Sequence, residues 1–147
     1  MTKIQKIFTL ILCSFLFVAC GDELEPPLPY VQVDATFVLV SYPELITWPS
    51  AAKKSGYGFN RNGVILVRIG QYDFRAFDAT CTRDIDHHKN GSLSLDGSGY
   101  AVCPKCQTKY FLYNTGNAPI WSNDGKVRLQ EYRASFNSSI NIVRVTN

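Results

Sequence analysis

The sequence has one methionine, and its two histidines are adjacent at positions 87 and 88. It contains no Gly-x-Ser-x-Gly, and its carboxylates are scattered with no evident pair, so neither a hydrolase nucleophile nor an acid–base dyad is visible. No internal repeat is present, and no amphipathic pattern runs long enough for a major helix. Charge of either sign is modest, with fifteen Lys and Arg against twelve Asp and Glu. No basic patch of the kind that grips nucleic acid is present.

What is present begins at the N-terminus. Lys3 and Lys6 precede an almost wholly apolar run over residues 7–19. That pattern reads as a signal peptide, residues 1–19, with an apolar core too short to span a membrane as a mature helix. The run ends in Phe-Val-Ala-Cys, residues 17–20, which resembles a bacterial lipobox. The resemblance implies that Cys20 is lipidated and becomes the first residue of an exported lipoprotein in the cell envelope, periplasmic or on the cell surface. Residues 20–29 are acidic and then proline-rich, and read as a tether. The acidic GDELE after Cys20 resembles signals that send such lipoproteins to the surface. A single domain is expected over residues 30–147, long enough to bury a core. Without residues 1–19 the chain carries thirteen basic and twelve acidic residues, a net charge of +1.

Strand signals fill that domain. VDATFVLV, residues 33–40, and VILVRIG, residues 64–70, are rich in β-branched and apolar residues. The stretch between them, 41–63, carries prolines, glycines and Asn-Gly, and reads as mostly loop with one short helical turn. Residues 71–80 alternate, with Tyr72, Phe74 and Ala76 on one face and Asp73, Arg75 and Phe77 on the other; GQYD before them suits a hairpin turn. An Asp-Gly hairpin over residues 92–103, a strand over 108–113, and a closing pair over 126–135 and 139–146 follow. The closing pair alternates through Val127, Leu129 and Glu131, then Ile140, Ile142 and Arg144. Short strands with turn residues between them predict an antiparallel all-β domain.

Of five cysteines, Cys13 leaves with the signal and Cys20 takes the lipid. Cys81, Cys103 and Cys106 remain, and an odd number cannot all pair. In the predicted layout Cys81 follows one strand, and Cys103-Pro-Lys-Cys106 forms the turn between two others. Cys-x-x-Cys lets both thiolates face one ion while backbone amides point at the sulfurs. Thioredoxin-like chemistry at this motif would need a helix N-terminus in a βαβ unit, and no such helix is legible.

The Y-x-F-R-A-F-D-A-T-C approach to Cys81, the Y-A-V-C-P-K-C loop with K-Y-F-L after it, the G-N-A-P turn and LQEYRAS together resemble the Rieske iron–sulfur domain across residues 30–147. More narrowly, the chain is similar to Rieske-like lipoproteins of gut Bacteroidetes. The resemblance implies an antiparallel β-sandwich with a small cluster-binding subdomain made by two hairpin loops, and a Gly-Pro turn closing over the cluster. In that family the loops are Cys-x-His and Cys-x-x-His, two cysteines holding one iron and two histidines the other. Here Arg83 stands where the first histidine belongs and Cys106 where the second does. Arginine does not bind iron.

Three readings of the centre follow. A [2Fe–2S] cluster could be held by Cys81, Cys103, Cys106 and His87 or His88, with a potential drawn down towards about −400 mV by the extra thiolate. The same Cys₃His set could hold structural zinc. Or no metal binds, and Cys81 pairs with Cys103 or Cys106. The first makes the chain a one-electron carrier with a redox partner protein, anchored to the membrane through Cys20 and not itself a catalyst. The others make it a structural or binding lipoprotein. The nine aromatics from Tyr57 to Tyr113 at strand spacing read mainly as core.

Overall fold

The computed structural model describes residues 25–83 and 91–147. Among them there is no α-helix, and none is long and apolar enough to cross a membrane. The strands are β1 (Asp34–Val38), β2 (Ser50–Lys54), β3 (Val64–Arg68), β4 (Phe74–Asp78), β5 (Ser94–Leu95), β6 (Tyr100–Val102), β7 (Lys109–Phe111), β8 (Glu131–Asn137) and β9 (Ile142–Thr146). They form a six-stranded sheet in the order β1-β9-β8-β4-β3-β2 and a three-stranded sheet β5-β6-β7. Neighbouring strands are antiparallel throughout. The chain is therefore all-β, as its strand and turn spacing implies.

The apolar run of β3 is explained by its position between two layers. Val64 and Leu66 enter one core with Phe37, Val143 and Val145. Ile65 and Val67 enter a second core with Phe77, Tyr110 and Leu112 under the small sheet. A strand covered on both faces loses polar alternation. β4 behaves alike: Ala76 faces the first core and Phe77 the second, while Tyr72 lies before the strand and is exposed. In β9 the inward residues are Val143 and Val145, whereas Ile142 and Arg144 share the other face, and Ile140, exposed, lies before the strand.

Residues 41–63 hold more than loop. β2 lies inside that stretch and pairs with β3 from Ser50↔Arg68 to Lys54↔Val64. Its sequence, SAAKK, has low strand propensity, but its small alanines fit an edge covered on both sides. Its two lysines diverge to opposite faces. Lys53 Nζ reaches Ser92 Oγ at 2.5 Å and the Leu93 carbonyl at 2.6 Å. Lys54 Nζ reaches the Thr36 carbonyl of β1 at 2.5 Å and lies 5.3 Å from the Tyr57 ring centroid and 5.7 Å from that of Phe37. Lys54 thus ties the two edges of the curved large sheet to each other. Lys54→Met keeps the aliphatic stem but removes the hydrogen bond and the cation–π contacts. Chemical denaturation is expected to show a loss of about 1–2 kcal/mol.

β4 and β8 are hydrogen-bonded neighbours, Ala76↔Tyr132 and Phe77↔Glu131, and the small sheet is built from described residues that lie between them in sequence. Arg75, 6% exposed, donates to both Glu131 carboxylate oxygens at 2.8 and 2.9 Å and to the carbonyls of Gly116 and Ala118 at 3.0 and 2.8 Å. The Gly-Asn-Ala-Pro turn is therefore held at the start of β4. Arg75→Met strips partners from two carbonyls and a carboxylate. We expect a loss of about 2–3 kcal/mol in unfolding free energy, read as a lower denaturation midpoint with the slope unchanged. At the N-terminal side, Leu28 is buried although it falls within the stretch expected to be tether. The segment is pinned where Asn147 accepts from the Val33 amide at 2.6 Å and donates to the Val31 carbonyl at 2.8 Å.

Candidate metal centre

The end of β4 sets the first loop. Asp78 is fully buried, and its carboxylate accepts from the Phe59 amide at 2.6 Å, the Thr80 amide at 2.8 Å and the Tyr132 hydroxyl at 2.6 Å. These bonds turn the chain out of the sheet, and the Cys81 amide then donates to the Gly91 carbonyl at 2.9 Å. The second loop closes on itself. The Gln107 amide donates to the Cys103 carbonyl and the Cys103 amide to the Thr108 carbonyl, each at 2.9 Å, with Gln107 in the left-handed region at φ 59°.

The two loops meet at their sulfurs. The Sγ atoms of Cys81, Cys103 and Cys106 all lie within 4.8 Å of one another, and Cys81 and Cys106 are 3.6 Å apart. The three cysteines are free thiols. They come from both loops, as expected of a shared centre, and they are close enough to hold one metal ion. Tetrahedral thiolate ligands at about 2.3 Å from an ion sit about 3.8 Å from each other, so the set resembles three corners of one coordination tetrahedron. A two-iron cluster needs at least one of three thiols on its second iron, set apart by the spacing of the irons. The observed triangle does not fit that division.

The thiols differ in environment. Cys81 is buried, which pushes its pKa up to about 12; a backbone hydrogen bond at Arg83 opposes this and the neighbouring thiols add to it. At Cys106 burial also acts upward, but hydrogen bonds from the Thr108 hydroxyl, 3.0 Å away, and from the Thr108 backbone and the other thiols outweigh it and bring the group to about 7. The Tyr110 hydroxyl lies 3.0 Å from Thr82 Oγ1 and 3.8 Å from Cys81 Sγ, and burial raises its pKa.

Arg83 is not directed at the sulfurs as a ligand. Its Nε donates to Thr108 Oγ1 at 2.8 Å, and its Nη2 pairs with Asp124. It fastens the first cysteine loop to the second and to the turn at 122–126. Arg83→Ala is expected to leave the three sulfurs assembled, read as an unchanged metal stoichiometry, because the pair is solvent-accessible.

His87 and His88 lie outside the described residues, as do Cys13, Cys20 and the expected signal peptide. The sequence reading missed Asp78, Thr82, Thr108 and Asp124 as parts of the centre. Thr108 had a signal: a hydroxyl two residues after Cys106 in a tight turn is placed to donate to that sulfur. The other three reach the centre through tertiary contacts that no local pattern encodes. Compared with known proteins, the chain matches no family model and no curated protein.

Proposed function

We propose that this chain is an exported lipoprotein, anchored through Cys20, on a Rieske-like frame. Its two-loop centre binds one metal ion through Cys81, Cys103 and Cys106 instead of a two-iron cluster. The observation that carries this reading is the mutual approach of three sulfurs, drawn from two loops, within 4.8 Å. Zinc fits the set best: three thiolates and a fourth ligand such as His87 or His88 make an accepted tetrahedral site. The ion would cross-link the excursion between β4 and β8 where few strand pairings hold it. The protein is then a binding or structural module of the envelope and not a catalyst.

A second reading has an observation of its own. Cys106 is half-buried while the other two thiols are fully buried, so one edge of the centre meets solvent. Iron in the same tetrahedron, or a rearranged [2Fe–2S] cluster, would exchange single electrons with a partner protein through that edge. Metal and acid-labile sulfide analysis of protein purified without oxygen, with a visible spectrum, separates the two. One zinc per chain without sulfide is the expected result. Two irons with two sulfides, and bands that bleach on reduction, would replace it by the electron-carrier reading. No metal, with a mass two units below the reduced chain, would mean a disulfide and sink both.

A further inference from the structure

The outer face of the small sheet has no role in the cysteine centre. Tyr110 and Ser122 are bridge partners and both are buried, so by strand alternation their neighbours Phe111 and Trp121 turn outward. Phe111 is 45% and Trp121 43% exposed. Tyr100 pairs with Phe111 from the next strand, ring centroids 5.1 Å apart. A row of three aromatic rings thus crosses the outside of the sheet.

The sequence that forms this face is rich in cations, although the Asp96 carboxylate accepts from the Tyr100 amide at 3.0 Å beside the row. From Ala101 to Arg128 the sequence carries Lys105, Lys109, Lys126 and Arg128 against one carboxylate, Asp124, which Arg83 already pairs. That stretch has a net charge of +3, while the rest of the chain from Cys20 onward sums to −2. Lys109 and Lys126 are exposed. The chain also enters here. Arg128, the bridge partner of Trp121, donates to the Glu25 carbonyl. Glu25 lies five residues after Cys20, a reach of at most about 18 Å.

We propose that this face rests on the membrane surface, with Trp121 and Phe111 at headgroup depth and Lys109 and Lys126 against anionic headgroup phosphates. Amphipathic rings and cations are the groups that settle at a bilayer interface, and the short reach from Cys20 brings this face, before others, to the bilayer. The inference rests on the lipid anchor proposed above.

The test uses full-length protein purified with its anchor. Trp48→Phe, or Trp48→Tyr should that variant not fold, leaves Trp121 as the one tryptophan. It is reconstituted in phosphatidylglycerol–phosphatidylcholine vesicles with brominated acyl chains. Quenching of Trp121 emission by about twofold, largely lost in Lys109→Glu/Lys126→Glu, is the expected result. Vesicle-bound protein with unquenched Trp121, or quenching that the charge reversal leaves intact, overturns the proposal; so does cross-linking of this face to an acidic protein in place of lipid. Failure of the anchor itself shows separately, as a Cys20 without lipid by mass spectrometry and no flotation at high salt. Flotation of that unlipidated chain with the same vesicles at low salt, lost on charge reversal, would still support the face, and no flotation would overturn it.

Discussion

Asp78→Ala is expected to destabilise the fold by about 3–5 kcal/mol, the largest loss from any single polar side chain described here. The carboxylate is buried and receives three hydrogen bonds, from the amides of Phe59 and Thr80 and from the Tyr132 hydroxyl. Its removal leaves three buried donors without a partner, each at about 1–3 kcal/mol, and opens a cavity beneath the segment leading to Cys81. Gly58 is bound to the same point: a Cβ there would stand 2.4 Å from Asp78 Oδ2, and its φ of 72° already disfavours a side chain. Tyr132→Phe removes only one donor and should cost about 1–2 kcal/mol. Urea denaturation of the two variants gives the comparison. A loss below about 1.5 kcal/mol for Asp78→Ala would mean that the loop is held by something other than this carboxylate. The tyrosine adds a pH signature. Burial, and then Asp78, raise the Tyr132 pKa above its ordinary 10.0. A raised folded pKa stabilises below the unfolded value and the benefit is lost as pH climbs past it, so wild-type stability should fall above about pH 10. The phenylalanine variant should show a shallower decline.

Much of this frame was legible. Strands β3, β4, β8 and β9 announce themselves by β-branched and aromatic content, and turn residues separate them correctly. The missed strand, β2, is Ala- and Lys-rich because each of its side chains answers a tertiary demand. The alanines make room under two cores, and Lys53 and Lys54 spend their ammonium groups on carbonyls of other elements. The cysteine triangle was legible in kind but not in shape. Cys-x-x-Cys and a cysteine after a strand predict a shared centre, but whether the third sulfur lies with the other two or apart depends on how two loops dock. That docking rests on Asp78, Gly91 and the buried Thr82–Tyr110 contact, far apart in sequence, with the solvent-accessible Arg83–Asp124 pair adding little. Arg83 illustrates the limit. Its place in the sequence says nothing of its partners, whereas its contacts show a strut between loops.

On the proposed reading, zinc should stabilise the protein by an amount that grows with free metal, reaching about 4 kcal/mol at a thousand-fold excess over the dissociation constant. Mass action favours the folded state because the site exists only when both loops are folded. Cys103→Ser should abolish the gain, since it takes one corner of the triangle, whereas Arg83→Ala should keep it. Acid should weaken the binding, and the sign follows from the thiols. Cys81, pushed up to about 12, must give up its proton whenever metal binds near neutrality. Cys106, at about 7, adds a further proton only below that pH. Apparent affinity should therefore fall by at least about tenfold for each unit of pH lost above 7, and more steeply beneath it. Thermal unfolding across a zinc series at pH 6, 7 and 8 reads both effects. A midpoint indifferent to zinc at all three would remove the single-ion centre, and one that responds equally in Cys103→Ser would place the metal elsewhere on the chain.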